Sequence, residues 1–248
     1  MKYVFVDFSP QELPLMIRYF GFVMLGLIAM QISVARADDP KVTLKANDRI
    51  VFLGDSITQA GAGPNGYVTM IRQELDKRHA DLKVEVIGAG ISGNKVPDLQ
   101  RRVEKDVIAK NPTIVVIYIG INDVWHGEND PARGTMPDAF ESGLKEVIGK
   151  CREAGAKVVV CTPTVIGEKK GGANKLDAKL DQYSNISRKV AKELKLPLCD
   201  LRKAFVDHLN EHNKEDGDKG VLTSDRVHLN QAGNQFVAET MLKILDPK

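Results

Sequence analysis

The sequence predicts a three-layer α/β/α sandwich in which a parallel sheet is covered by helices on both faces. Short, continuous apolar runs recur along the chain, as expected of strands that are buried on both sides. Between these runs, apolar residues repeat with helical spacing. The chain has 248 residues, and no repeat or linker divides it after residue 37. A single main domain over residues 38–248 is therefore predicted.

The predicted strands are runs rich in β-branched and apolar residues. They cover residues 49–53, 83–87, 113–119, 157–161 and 197–200. Ligands of open parallel sheets bind beyond the carboxyl ends of the strands, so the segments that follow these runs are the first candidates for a site. The connections 123–136, 162–175 and 210–225 are long, which is typical of functional or mobile loops.

Four helices are predicted from apolar positions three or four residues apart. Their buried faces comprise Val96, Leu99, Val103 and Val107; Phe140, Leu144, Val147, Ile148 and Cys151; Leu176, Leu180, Tyr183, Val190 and Leu194; and Phe236, Val237, Met241, Ile244 and Leu245. Pro97 and Pro137 suit first helical turns, and Gly155 suits a helix end. Asn230 can cap the last helix.

The first 37 residues are predicted to be an export signal. Arg18 lies before an apolar stretch over residues 20–34, and Ala35-Arg36-Ala37 fits a cleavage site. The stretch is shorter than the roughly 20 residues of a membrane-spanning helix, which favours cleavage and no stable membrane insertion. Met16 is then the expected start, and the mature protein is expected in the periplasm or outside the cell.

Charge and cysteine usage narrow the possible partners and crosslinks. The formal net charge is only +2, with basic and acidic residues interleaved, so nucleic acid is not an expected partner. Cys151, Cys161 and Cys199 each lie in or beside an apolar run, which favours reduced, buried thiols. A disulfide between Cys161 and Cys199 stays open if their strands are neighbours.

Polar clusters at strand ends and in the last long loop contain the groups needed for acyl transfer. Ser56 is expected to open a helix after the first strand and can act as a nucleophile through its hydroxyl. Asp225 lies three residues before His228, a spacing at which a carboxylate can orient an imidazole as general base. The Ser56 and Gly90 backbone N–H groups and the Asn122 amide are candidate donors to an oxyanion.

In this order, the motifs resemble those of the GDSL, or SGNH, hydrolase family of esterases and lipases. The family's Ser, Gly, Asn and His match Ser56, Gly90, Asn122 and His228, and the resemblance runs from about residue 49 to 245. It implies a flavodoxin-like sheet of five parallel strands and a serine acyl-enzyme mechanism with no metal or other cofactor. One position departs from the pattern, because many relatives carry Asn where this chain has Gly88.

Several residues beside these motifs are further candidates. Asp55 and Asp123 are expected to accept hydrogen bonds from loop N–H groups, and Asp55 is also a candidate substrate contact. Trp125 and His126 lie in a long loop where they can form a substrate-binding rim. Ser92 and Asn94 could line the pocket or tighten the glycine turn, and both interpretations stay open.

Other functions fit the sequence less well. Residues 88–93 match G-x-G-x-x-G, but a loop through residue 97 delays the next helix, unlike a dinucleotide site. A non-catalytic binding domain predicts a missing catalytic residue, and none is missing. A metal-dependent hydrolase predicts ligand spacing that the chain lacks.

The expected substrate is a small-molecule or carbohydrate ester, with acetyl as the acyl group. The long loops are rich in Gly, Lys, Asp and Asn and contain no broad apolar patch for a fatty chain. Lipase, lysophospholipase and thioesterase activities stay open, because the family includes them. The sequence does not indicate an oligomeric state.

Overall fold

The computed structural model describes residues 42–246, so the predicted export signal lies outside the described residues. Five parallel strands form one sheet in the order β2-β1-β3-β4-β5 within this part of the chain. They are β1 (Arg49–Gly54), β2 (Glu85–Gly90), β3 (Ile114–Tyr118), β4 (Lys157–Cys161) and β5 (Leu198–Cys199). All five residues of the central β3 are buried, which explains why its sequence is continuously apolar.

The helices form two layers, one on each face of the sheet. They are α1 (Ser56–Gly61), α2 (Tyr67–Arg78), α3 (Val96–Asp106), α4 (Ile121–Trp125), α5 (Pro137–Glu153), α6 (Asp177–Glu193), α7 (Leu201–His212) and α8 (Gln231–Leu245). Helix α5 packs between α3 and α6, whereas α8 packs between α2 and α7. The predicted three-layer α/β/α fold with five parallel strands is confirmed.

The residues predicted to start or end helices lie at helix boundaries in the structure. Pro97 and Pro137 lie in the first turns of α3 and α5. Gly155 follows α5 with a positive φ of 86°. The side chain of Asn230 accepts a hydrogen bond from the Gly233 N–H at 2.9 Å and caps α8. This cap lies two residues after His228, directly before α8 begins.

Helices α2, α4 and α7 were not predicted, and the predicted last strand is longer than β5. Asp200 ends the strand because its side chain accepts the Lys203 N–H and caps α7. The apolar face of α7, with Leu201, Phe205 and Leu209, is buried. Helix α4 occupies the start of the predicted loop 123–136, and α7 extends three residues into the loop 210–225.

The cysteines are buried free thiols. Cys161 and Cys199 are direct register partners on β4 and β5, so the strand neighbourhood that a disulfide needs is present. Burial raises the pKa of the Cys161 thiol well above its usual value. No helix within residues 42–246 is long and apolar enough to cross a membrane.

Candidate active site

Ser56 is the first residue of α1 and lies directly beyond the end of β1. The side chain of Asp55 caps this helix by accepting the Ile57 N–H at 2.9 Å, and its carbonyl accepts the Gln59 N–H at 2.9 Å. The first backbone N–H groups of a helix have no partner inside the helix, so the Ser56 N–H is available to a ligand. The Oγ of Ser56 lies 2.9 Å from His228 Nε2.

Asp225 holds both the imidazole and the main chain of His228. Its Oδ2 lies 2.7 Å from His228 Nδ1, while Oδ1 accepts the His228 N–H at 2.8 Å and the Val227 N–H at 3.1 Å. Burial raises the pKa of Asp225, but these hydrogen bonds outweigh it and hold the pKa below its usual value. The carboxylate therefore fixes the proton on Nδ1 and leaves Nε2 free to accept the Ser56 proton.

The loop that carries Asp225 and His228 is fastened to the body by Glu168, which the sequence analysis missed. Glu168 is fully buried, and its carboxylate accepts the N–H groups of Val221, Leu222 and Thr223. The preceding Gly167 N–H donates to the Arg226 carbonyl at 2.8 Å. No local sequence pattern marks Glu168, because all of these contacts span more than 50 residues of chain.

Gly90 is the last residue of β2, not part of a loop as the sequence predicted. On the side that faces β1, the Glu85 N–H donates to the Asp48 carbonyl and the Ile91 N–H donates to the Gly54 carbonyl. Successive backbone N–H groups of a strand point to opposite sides. The Gly90 N–H therefore faces away from β1, at the free edge of the sheet, where it can bind a ligand. A Cβ at this position would lie 2.1 Å from the Gln59 N atom, so only glycine fits against α1.

Gly88, the departure from the family pattern, has a packing explanation. A Cβ on Gly88 would lie 2.7 Å from the Cβ of Ala62. A larger side chain at position 88 therefore requires Ala62 to move.

Asn122 lies in the first turn of α4, directly beyond β3. The side chain is buried, and its Nδ2 donates one hydrogen bond to the Asn94 carbonyl at 3.1 Å. This bond fixes the plane of the amide and leaves a second N–H for a ligand. The side chain of Asn94 accepts from Arg102 Nε at 2.6 Å, so Asn94 tightens the loop.

Asp55 and Asp123 are both buried behind the site. The Asp123 side chain accepts the Val96 N–H at 3.0 Å, and its carbonyl accepts the Thr135 N–H at 3.0 Å. Burial raises the pKa of Asp55 to about 7 and that of Asp123 to about 6. Both side chains accept a backbone N–H, as predicted, but the donors lie in the first turns of α1 and α3 and not in loops. The side chain of Asp55 is only 2% exposed and caps α1, which argues against a direct contact with substrate.

Trp125 and His126 lie at the end of α4, on the segment that follows Asn122. Trp125 is 36% exposed, which is unusual for the largest apolar side chain and compatible with a rim. Burial, followed by the charges of Lys95 and Arg133, lowers the pKa of His126. A largely neutral imidazole here can donate to or accept from a polar substrate.

The site therefore joins a hydroxyl, an oriented imidazole and several N–H groups at the carboxyl ends of β1, β2 and β3. Ser56, His228 and Asp225 form one hydrogen-bonded line, although 172 residues separate the first two. A base that removes the hydroxyl proton makes the serine a nucleophile, and the nearby uncharged donors can stabilise an oxyanion. The arrangement is suited to acyl transfer.

A family model and several curated proteins match most of this chain. The model of the GDSL-like Lipase/Acylhydrolase family matches residues 52–236. An acetylxylan esterase of Geobacillus stearothermophilus is 30% identical over 212 residues, which cover 80% of this chain and 94% of that protein. The mouse (Mus musculus) isoamyl acetate-hydrolyzing esterase 1 homolog is 24% identical over 216 residues, or 81% of this chain and 82% of that protein.

Solved structures of esterases and hydrolases also resemble this chain. The crystal structure of the acetyl xylan esterase AlAXEase has a TM-score of 0.76 and 46% sequence identity, covering 79% of this chain and 98% of its own. The crystal structure of LAE5, an alpha/beta hydrolase enzyme from the metagenome of Lake Arreo, Spain, has a TM-score of 0.73 and 29% identity, covering 81% of this chain and 96% of its own. On this evidence the chain belongs to the GDSL-like lipase/acylhydrolase family and is a carboxylic ester hydrolase.

Proposed function

We propose that this protein is a serine acetylesterase that removes acetyl groups from carbohydrates, with acetylated xylan or its oligosaccharides as the substrate class. The observation that carries the mechanism is the hydrogen-bonded line from Ser56 Oγ through His228 to Asp225, at 2.9 and 2.7 Å. The acetylxylan esterases among its relatives support the choice of substrate.

In the first half of the reaction, Ser56 Oγ attacks the ester carbonyl carbon while His228 Nε2 takes its proton. The carbonyl oxygen becomes an oxyanion, which the Ser56 and Gly90 N–H groups and the Asn122 amide stabilise. The bond to the sugar oxygen then breaks, and His228 protonates that oxygen. An acetyl-enzyme on Ser56 remains as the sugar leaves.

In the second half, water attacks the acetyl carbonyl and loses a proton to His228. The same donors stabilise the second oxyanion. The bond to Ser56 Oγ breaks, the imidazole returns the proton to the serine, and acetate leaves. Asp225 stabilises the positive charge that the imidazole carries in both halves.

Two measurements test this proposal. The first follows hydrolysis of p-nitrophenyl esters from acetate to decanoate, and the second follows acetate release from acetylated xylan. We expect activity to be highest with acetate, to be lost in Ser56→Ala and His228→Ala, and to persist in Ser142→Ala, which removes an exposed serine on α5. A maximum at long acyl chains contradicts the substrate class, and a fully active Ser56→Ala contradicts the mechanism.

Export is a separate part of the proposal. The basic start, the apolar stretch and Ala35-Arg36-Ala37 support cleavage after Ala37. We expect N-terminal sequencing of the protein from a bacterial host to begin at Asp38. A mature chain that keeps residues 16–37 contradicts this part.

A further inference from the structure

Arg102 on α3 makes a set of hydrogen bonds directly behind the candidate oxyanion donors. Its Nε donates to Asn94 Oδ1 at 2.6 Å and its Nη2 to the Gly54 carbonyl at 2.8 Å. The third guanidinium nitrogen, Nη1, lies 3.1 Å from Asp106 Oδ2 on the same helix. Only 12% of the side chain is exposed, so the guanidinium is held on three sides.

These contacts lead to Asn122 by a short path. Asn94 receives the guanidinium on its side chain, and its own carbonyl accepts the Asn122 amide at 3.1 Å. The other main anchor, the Gly54 carbonyl, also accepts the Ile91 N–H at 3.2 Å. Arg102 thus ties the loop that holds the Asn122 amide to the end of β1, two residues before Ser56.

We propose that Arg102 is a positioning residue that holds the Asn122 amide in the oxyanion hole through Asn94. The inference rests on the proposed serine esterase mechanism and extends it to a residue that does not touch the substrate. A planar guanidinium offers donors in a fixed fork, so it can set the distance between the Gly54 carbonyl and the Asn94 side chain. An aliphatic side chain of similar length cannot.

The reason for a kinetic effect is that an oxyanion donor acts only when it is aimed at the developing charge. Loss of one such donor costs about 100- to 1,000-fold in kcat. In Arg102→Met the Asn122 amide is still present but loses the support of its acceptor. We expect a smaller loss, about tenfold in kcat, because modest misplacement of a catalytic group reduces rate without abolishing it.

The test compares Arg102→Met with Arg101→Met in hydrolysis of p-nitrophenyl acetate. Arg101 is the adjacent arginine on α3, its side chain is 70% exposed, and its ionic partner is Asp98. We expect Arg102→Met to lower kcat about tenfold with KM and the pH profile of kcat/KM unchanged, and Arg101→Met to match the wild type. A structural role alone would lower the yield of folded enzyme and not the kcat of each folded molecule.

A double-mutant cycle with Asn122→Ala then asks whether the effect passes through the amide. If Arg102 acts by positioning Asn122, Arg102→Met should lower kcat by less than about threefold once the amide is absent. Equal losses in both backgrounds overturn the inference, as does wild-type kcat in Arg102→Met. If Arg102→Met does not fold, Asn94→Ala carries the same test, since it keeps the arginine and removes the link.

Failure of the inference and failure of the proposed function give different results. An enzyme that loses activity in Ser56→Ala but keeps full kcat in Arg102→Met refutes only the positioning role. An enzyme with no esterase activity, or one that is fully active as Ser56→Ala, refutes the mechanism and the positioning role with it.

Discussion

Replacement of Glu168 by glutamine should loosen the segment that carries His228, the proposed general base. Glu168 Oε1 accepts the Leu222 and Thr223 N–H groups at 2.8 and 2.5 Å, and Oε2 accepts the Val221 N–H at 2.7 Å. Glutamine keeps the volume and one carbonyl oxygen, but its NH2 group must face at least one backbone N–H. Two donors then oppose each other in a site without water access.

The magnitude follows from these contacts. A hydrogen bond to a charged group contributes about 1.5–3 kcal/mol, and an unsatisfied buried donor costs about 1–3 kcal/mol. Because the two terms overlap, we expect Glu168→Gln to lower the free energy of unfolding by about 2–4 kcal/mol. For a domain of this size, that loss corresponds to a Tm decrease of roughly 4–16 °C.

Urea unfolding followed by circular dichroism measures the change directly. The matched control is Glu215→Gln, since Glu215 is an exposed acid in the same long connection. We also expect kcat/KM of Glu168→Gln to fall below that of the control at temperatures where both are folded. A Glu168→Gln protein within about 0.5 kcal/mol of the wild type refutes the reasoning, because that is the range of ordinary surface substitutions.

Three further predictions concern the site. Asp225→Asn should lower kcat about 100-fold or more, because an amide can favour the wrong imidazole tautomer; kinetics on p-nitrophenyl acetate that match the wild type would exclude this role. The raised pKa of Asp55, about 7, means that its contribution to stability is full below the unfolded pKa of 3.8 and is lost as pH rises through 7. Asp55→Asn keeps an acceptor for the cap but cannot titrate, so the free energy of unfolding should fall less between pH 4 and pH 7 than in the wild type. Urea unfolding midpoints measure this, and an unchanged pH dependence counts against a buried, titrating Asp55. Gly90→Ala should destabilise the protein by about 1–3 kcal/mol, because its Cβ meets the backbone of α1, and a wild-type Tm would show that the strand end can move freely.

Much of the fold could be predicted because its determinants are local. The continuous apolar runs identify the strands, since a strand covered on both faces needs apolar residues at every position. Pro97, Pro137 and Asn230 mark helix starts through their own backbone and side-chain chemistry. Where local signals compete, the prediction failed: Asp200 continues an apolar run but caps α7, and Gly90 reads as a turn but ends a strand.

The candidate site divides in the same way. The sequence by itself determined which residues are candidates for the chemistry, namely Ser56, Asn122, Asp225 and His228, and that they follow strands or precede the last helix. Only the tertiary structure placed Ser56 Oγ 2.9 Å from His228 Nε2, turned Asp55 inwards as a helix cap, and assigned Glu168 and Arg102 their partners. The physical reason is that a side chain's chemistry is local, whereas the buried charges that hold the site in place find their partners only after the sheet order brings distant segments together.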